Sequence, residues 1–345
     1  MSRDRAAILA LLRGGGRFLL TSHVNPDGDS VASQCALRLI LAQLGARADI
    51  VNSHPVPRVY RFLPGSGTIG DRRPRAWKAY RAVIVLDCGD ARRASGLLEP
   101  RPPVPVVNID HHATNPAFGD LNWVVSDACS TAEIVHALAL GLGVRPDGDI
   151  AAALYTGILT DTGSFRHGNA SPRAFRIASA LVATGIDAAG IAQAVYESVP
   201  FETLRALGET LAGLRRTPDG HIAWISLPRR RLGSLASPAE SEEWAGYPRS
   251  LDTAVLSVCF KETGPGQVRL SFRSKGAVDV AALAARWGGG GHRNAAGATV
   301  AGSLAAVERA VIAAARRHLG AARPAGHARP ERTRKAAPRA AASAR

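Results

Sequence analysis

His23, Asp27 and Asp29 fall within seven residues of one another, in His23-Val24-Asn25-Pro26-Asp27-Gly28-Asp29-Ser30. The proline and the paired aspartates of that segment suit a loop, not a helix interior. Asp87 follows the apolar run Ala82-Val83-Ile84-Val85-Leu86, and Asp110-His111-His112 follows a second such run ending at Ile109. Asp161, in Thr160-Asp161-Thr162-Gly163, closes an apolar helical stretch from Ala151 to Leu159. Taken singly, each aspartate reads as a turn former or helix cap, and His23 as an ordinary strand-end histidine. Four such clusters, each at the end of an element, call for a common cause.

A metal site supplies one. Carboxylates gathered in one place repel each other unless a cation neutralises them. Mixed Asp and His donors suit Mn²⁺ or a similar divalent ion; carboxylates alone would favour Mg²⁺, and a structural zinc would need thiolates. A carboxylate that bridges two ions, with separate ligands for each, makes a two-metal site with the ions roughly 3.5–4 Å apart. Such a site activates water and clamps a phosphoryl oxygen, the chemistry of phosphoester hydrolysis.

A different signal lies near the end of the chain, in Gly288-Gly289-Gly290-Gly291-His292. Glycines allow close approach of the backbone to an anion, and His292 offers a donor beside them. Upstream, Arg273-Ser274-Lys275 adds a forked cation and a hydroxyl. A bare glycine run reads as a flexible loop; with Arg273 and His292 nearby, the reading here is ligand binding.

The elements that must position these residues fall into two groups. Strand-like Arg17–Thr21, Arg81–Leu86 and Val104–Ile109 alternate with helix-like Ser30–Leu44, Thr131–Leu142 and Ile150–Leu159. That alternation predicts an α/β, mostly parallel-sheet, Rossmann-like domain over 1–185, with ligands outside the carboxyl ends of its strands. A helical connector, interrupted at Pro200, is expected over 186–215. Strands at His221–Leu227, Ala254–Lys261 and Gln267–Arg273, with helices at Val278–Trp287 and Ser303–Leu319, predict a smaller α+β domain over 216–320. The remainder, 321–345, has prolines spaced among Arg and Ala and reads as a disordered tail.

Composition bounds the function. The 345 residues are 46% hydrophobic and 21% charged, which is globular and excludes collagen-like or wholly disordered classes. No apolar run is long enough to span a bilayer, and the N-terminus lacks the pattern of a secretory signal, so a cytoplasmic protein with no membrane partner is expected. Cys35, Cys88, Cys129 and Cys259 form no CxxC pair and read as reduced, buried thiols. The formal charge is +15, yet only four of the 43 basic residues are lysines, a bias towards Arg and Ala that accounts for part of it. Residues 321–345 hold seven basic residues against Glu331, a net +6, leaving +9 on the rest. That surplus favours polyanionic partners such as nucleic acid or nucleotides.

The motifs HVNPDGDS, VLDCGD, DHHATN, STAEIV and YTGILTDTGSF, in this order, resemble those of the DHH phosphoesterase superfamily. FRSK and VDVAALAARWGGGGHRNAAG resemble the first type of DHH-associated C-terminal domain. The two together cover most of 18–319, and the absence of a further domain is similar to the NrnA-like members, bifunctional oligoribonucleases and phosphatases of adenosine 3′,5′-bisphosphate (pAp). RecJ-type exonucleases of the superfamily carry an extra oligonucleotide-binding fold for which there is no room. One departure is Ala32-Ser33, where the first motif usually has Gly before its Ser.

The resemblance implies one ion held by His23, Asp27, Asp87 and Asp161, and another held by Asp29, Asp87, His111 and Asp161. It implies that His112 faces the scissile phosphate and that Asp110 orients the histidines. Arg273, Ser274, Gly289, Gly290, Gly291 and His292 would hold the remote end of the substrate. Expected partners are short RNA or nucleotides, with a homodimer admitted as a state and the arginine tail as a contact for polyanions. The expected activity is manganese-dependent hydrolysis of short RNA and pAp. The alternatives are a phosphodiesterase of linear or cyclic dinucleotides, or a nucleotide-binding regulator that has lost turnover.

If the tail is separate from the site, a chain ending at Gly320 keeps its hydrolysis of pAp at physiological salt. Loss of that activity in a folded truncation product would tie the tail to the site.

Overall fold

The computed structural model describes residues 3–233, 235, 241 and 244–321; the arginine-rich segment from 322 lies outside the described residues. Two compact units divide the chain, one running to Arg205 and the other beginning at Ala206.

The first unit opens with α1 (Arg3–Arg13), β1 (Arg17–Thr21), α2 (Gly28–Gln43) and β2 (Arg47–Ile50). Next come β3 (Ala82–Leu86), β4 (Val106–Asp110) and β5 (Leu121–Val124), then the helices α3 (Thr131–Leu142), α4 (Gly148–Asp161), α5 (Pro172–Val182) and α6 (Ala188–Tyr196). The division between the units falls within α7 (Phe201–Leu211). The five strands form one parallel sheet in the order β2-β1-β3-β4-β5. The order reverses between β1 and β3, and in such sheets the crevice beyond the strand ends at that switch point is where ligands bind.

The central strands are buried along almost their whole length, and β3 is apolar throughout, because both faces of the sheet are covered. Phe18, Leu20, Ile84, Leu86, Val107 and Ile109 pack with Leu12, Leu37, Ile40, Leu138 and Leu154 of the helices. The alternate residues Leu19, Val83, Val85 and Val106 pack with Leu97 and Leu98 on the other side.

Helix ends explain where the sequence reading stops short. Asp27 caps α2 by accepting from Ser30 N at 3.0 Å, so the helix begins at Gly28 and not at Ser30. In α5, which the sequence reading passed over, Ser171 caps and Pro172 occupies the first turn. The edge strands β2 and β5 are short and only partly buried, so they carry no continuous apolar run to reveal them.

The second unit contains β6 (Arg215–Arg216), β7 (Ile222–Leu227), the short helices α8 (Arg229–Leu232) and α9 (Gly246–Arg249), β8 (Leu256–Gly264) and β9 (Gln267–Ser274). It continues with α10 (Val280–Ala284), β10 (Gly290–His292), β11 (Ala295–Ala301) and α11 (Leu304–Ala321). Its sheet runs β10-β11-β9-β8-β7-β6, antiparallel except for the β7–β8 pair. Val258, Phe260, Leu270 and Phe272 pack there with Leu283, Val311 and Ala315. Among the described residues no helix is long and apolar enough to cross a membrane.

Close packing of α2, α3 and α4 depends on missing side chains. A Cβ on Gly28 would lie 2.5 Å from Thr160 Oγ1, and one on Gly157 would lie 2.6 Å from Ala132 Cβ and 2.8 Å from Asp29 Oδ1. Gly157→Val is therefore expected to lower stability by about 1–3 kcal/mol or more, read as a lower urea midpoint. Gly208→Ala in α7, where a Cβ meets nothing within 4 Å, serves as the control and is expected to stabilise by up to about 1 kcal/mol. Equal effects from the two substitutions would contradict the packing account.

Candidate metal centre

Each chemical residue of the first unit sits where an element ends. His23 follows β1, Asp87 follows β3, Asp110 ends β4 with His111 and His112 just beyond it, and Asp161 is the last residue of α4. Asp27 and Asp29 sit at the start of α2. Asp87 has φ +53°, a left-handed conformation that a non-glycine residue holds only when its surroundings impose it. Its N–H donates to Ile109 O at 3.0 Å, which anchors the turn on β4.

The parallel sheet and its helices bring all of these together. His23 Nε2 lies 3.6 Å from Asp27 Oδ2 and 3.6 Å from Asp87 Oδ2. His111 Nε2 lies 3.5 Å from Asp87 Oδ1 and 3.7 Å from Asp161 Oδ2. Two sets of three donors result, His23–Asp27–Asp87 and Asp29–His111–Asp161, with a third set of Asp87, His111 and His112 between them. Asp87 faces both His23 and His111, one carboxyl oxygen to each.

These separations are long for hydrogen bonds and near those of two ligands on one ion, roughly 3.0–3.4 Å for bonds of about 2.1 Å. The ring orientations fit the same use. Nδ1 of His23 is 2.8 Å from Val24 O, and Nδ1 of His111 is 3.3 Å from Ala128 O. A carbonyl partner makes each Nδ1 the protonated nitrogen and leaves the Nε2 lone pair for a cation.

Electrostatics agrees with a cation. Burial first, then the charges of Asp87, Asp161 and Asp27, push the Asp29 carboxyl well above its usual range. Burial also pushes Asp161 up to about 7; His111 opposes this, and Asp87 and Asp27 add to it. Without an ion these carboxylates destabilise one another. Burial draws the His112 pKa down, but the hydrogen bond to Asp110 and the charges of Asp87 and Asp110 overcome it, raising it to about 9. The His112 Nδ1–Asp110 Oδ1 distance is 2.7 Å, and Asn115 Nδ2 donates to Asp110 Oδ2 at 2.6 Å. The His112 ring is thus oriented through Nδ1 by a carboxylate that Asn115 in turn holds.

The sequence reading assigned no role to Thr131, which proves central. Its backbone N–H donates to Asp29 Oδ2 at 2.6 Å, its Oγ1 donates to Asp87 Oδ1 at 3.1 Å, and Ala132 N donates to Asp29 Oδ1 at 2.9 Å. The first turn of α3 therefore receives a buried carboxylate, as helix N-termini favour. The visible signal is Ser130-Thr131-Ala132-Glu133, a capping pattern: Ser130 Oγ accepts from Glu133 N at 3.2 Å, and Glu133 Oε2 accepts from Cys129 N at 3.0 Å. Asn115 is the other addition. His167 is exposed, with Nδ1 3.4 Å from Asp161 O.

In the second unit, Arg273, Ala295 and His292 pair in one row across β9, β11 and β10. Ser274 Oγ donates to Val278 O at 2.7 Å and accepts from Asn294 Nδ2 at 2.8 Å, so its hydroxyl is tied into the strand end. The glycine run forms a tight hairpin strand where a loop was expected. A Cβ on Gly289 would lie 2.2 Å from Gly297 O, and one on Gly291, at φ +142°, would lie 2.5 Å from Ala295 O. Those two glycines are demanded by the approach of β10 to β11, whereas Gly290 is open, with nothing within 4 Å of a Cβ.

Residues 17–158 match the profile of the DHH family, N-terminal domain, and residues 230–319 match the DHHA1 domain. A Thermus thermophilus protein named bifunctional oligoribonuclease and PAP phosphatase NrnA is 34% identical over 289 residues, covering 83% of this chain and 85% of that protein. A Bacillus subtilis protein of the same name is 26% identical, covering 82% of this chain and 89% of its own. Among solved structures, an exopolyphosphatase-related protein from Bacteroides fragilis superposes with TM-score 0.83 at 24% identity, covering 93% of this chain and 98% of that one. RecJ from Thermus thermophilus in complex with Mn²⁺ gives 0.53 at 20% identity, covering 93% of this chain and 55% of RecJ.

A cation must displace protons from this site, so its affinity depends on pH. Asp161, at about 7, is protonated below that pH and can bind a cation only as its proton leaves. Between pH 7.5 and pH 6 the Mn²⁺ affinity is expected to fall at least roughly eightfold from this one group, read by titration calorimetry. A flat affinity over that range would contradict the assignment of Asp161 as a ligand.

Proposed function

This chain belongs to the DHH family of phosphoesterases, and on that premise we propose that it hydrolyses short oligoribonucleotides to mononucleotides and pAp to AMP with two bound divalent cations. The observation that carries this reading is the convergence of His23, Asp27, Asp29, Asp87, His111 and Asp161 on one sheet edge, beside a histidine held by its own carboxylate. The name of the Thermus relative, which spans most of both chains, supports the same substrates.

The resemblance shares Asp161 between both ions, but its carboxylate groups with Asp29 and His111 alone; on that geometry His23, Asp27 and Asp87 would hold one ion, and Asp29, His111 and Asp161 the other, with Asp87 presenting an oxygen to each set. The mixed donors favour Mn²⁺. When bound, the ions supply a water activated for in-line attack and neutralisation of the phosphoryl oxygens. The residues of the chain do the remaining work. Asp110 and Asn115 fix the ring of His112, whose Nε2–H donates to the developing charge on phosphorus-bound oxygen. Burial of Asp87 and Asp29, each about 2% exposed, keeps bulk water from competing for their oxygens. In the second unit, the proposed nucleotide-binding residues are Arg273, Ser274 and the Gly289–His292 segment, offering a fork of donors and an open Gly290 backbone.

A panel of pAp, linear and cyclic dinucleotides, and RNA of about five and about twenty residues, assayed with Mn²⁺, tests the reading. Hydrolysis of pAp and dinucleotides, faster than of the twenty-residue RNA, is expected. His112→Ala should lower kcat on pAp by roughly 10²–10³ with little change in KM, since it acts on charge that develops in the transition state. His292→Ala should keep its bound Mn²⁺ and lose activity on dinucleotides. Turnover of none of these substrates by a metal-loaded protein would leave the nucleotide-binding regulator as the better description.

A further inference from the structure

Asn169 sits beyond the end of α4 and touches the metal centre from outside. Its Nδ2 lies 2.8 Å from Cys129 O, 3.2 Å from Asp161 O and 3.2 Å from Asp161 Oδ2. All three neighbours are acceptors, so the amide nitrogen, not its oxygen, must face them. The segment that carries Asn169 there is unusual. Gly163, Ser164 and Phe165 take successive left-handed φ values of 55°, 59° and 60°, and the N–H groups of Arg166 and His167 both return to Thr162 O at 3.0 Å. Two non-glycine residues in this conformation cost roughly 1–2 kcal/mol each, so the strap is held by what it reaches.

The position of Asp161 explains the need. It is the last residue of α4, it shares one donor set with the buried Asp29 and His111, and the charge of buried Asp87 acts on it. Repulsion favours rotation away from those two aspartates. Asp29 and Asp87 are restrained by the first turn of α3, through Thr131 and Ala132. Cys129 lies just before that turn, ahead of the Ser130 cap. One side-chain amide therefore ties the ligand from α4 to the segment that restrains the ligands from α2 and β3. A neutral donor suits this place: a lysine or arginine would compete with the cation, and a carboxylate would add to the repulsion.

We infer that Asn169 is a positioning residue that sets the Asp161 carboxylate for its cation by donating from Nδ2 to Asp161 and Cys129. The inference rests on the metal reading of the site and extends it to a residue outside the proposed ligand set.

The test titrates Mn²⁺ into the full-length wild type, Asn169→Ala and Asn169→Asp, by calorimetry and by electron paramagnetic resonance, with pAp kinetics alongside. Asn169→Ala should bind one class of Mn²⁺ about 10–100-fold more weakly, with the other class unchanged. Its kcat should recover as Mn²⁺ is raised, while KM for pAp stays within about twofold. Asn169→Asp keeps the shape but removes the donor, and should bind that ion no better than Asn169→Ala. Wild-type affinity for both ions in Asn169→Ala, or wild-type binding by Asn169→Asp, would overturn the inference. If Asn169→Ala does not fold, as judged by circular dichroism, the Asn169→Asp titration decides alone. A wild type that binds no Mn²⁺ would defeat the metal reading itself, and would be told apart by failing before any substitution is made.

Discussion

Four carboxylates with overlapping fields, Asp27, Asp29, Asp87 and Asp161, set the terms for the first unit. In a folded chain such groups separate, take up protons or bind a cation. Here separation is prevented. Asp29 is fixed by two backbone N–H groups at the start of α3, Asp87 by the hydroxyl of Thr131 and a left-handed turn anchored on β4, and Asp27 by its role as the cap of α2. The absence of side chains at Gly28 and Gly157 lets α2 and α4 approach closely enough to keep Asp29 and Asp161 in one site. The raised pKa values of Asp29 and Asp161 follow from this arrangement, and a cation held among these carboxylates would remove their cause.

Much of this was legible in the sequence because each ligand cluster follows a strong local signal. An unbroken apolar run such as Ala82–Leu86, β-branched at its centre, marks a buried parallel strand, and polar residues just past it fall at the sheet edge where ligands bind. The rest depends on tertiary contacts that have no local pattern. Thr131 reads as an ordinary first-turn residue until Asp29 arrives from 102 positions away, and Asn169 reads as a loop residue until Cys129 O is found 2.8 Å from its amide. The capping pattern at Ser130–Glu133 predicts a helix start, not that a carboxylate from another helix would use its free N–H groups. Short, half-buried strands such as β2 and β5 were likewise invisible, since their place is decided by neighbours and not by their own residues.

The glycine run teaches the converse lesson. Four consecutive glycines suggest a loop moulded to an anion, yet Gly289 and Gly291 are required by the close approach of β10 to β11. Packing explains those two without a ligand. What distinguishes the region is the row that sets Arg273 and His292 on either side of Ala295, together with a Gly290 that has open space around it. The close packing of Gly289 and Gly291 is what places that row at the end of the sheet.

The central claim is that six side chains of the first unit form a site for two cations, with Asp87 facing both. Diffraction from crystals grown with Mn²⁺, with data collected at the manganese absorption edge, tests this most directly. The account predicts two anomalous peaks, one against His23, Asp27 and Asp87 and the other against Asp29, His111 and Asp161, roughly 3.5–4 Å apart. A single peak touching only one set, or peaks away from these residues, would contradict it.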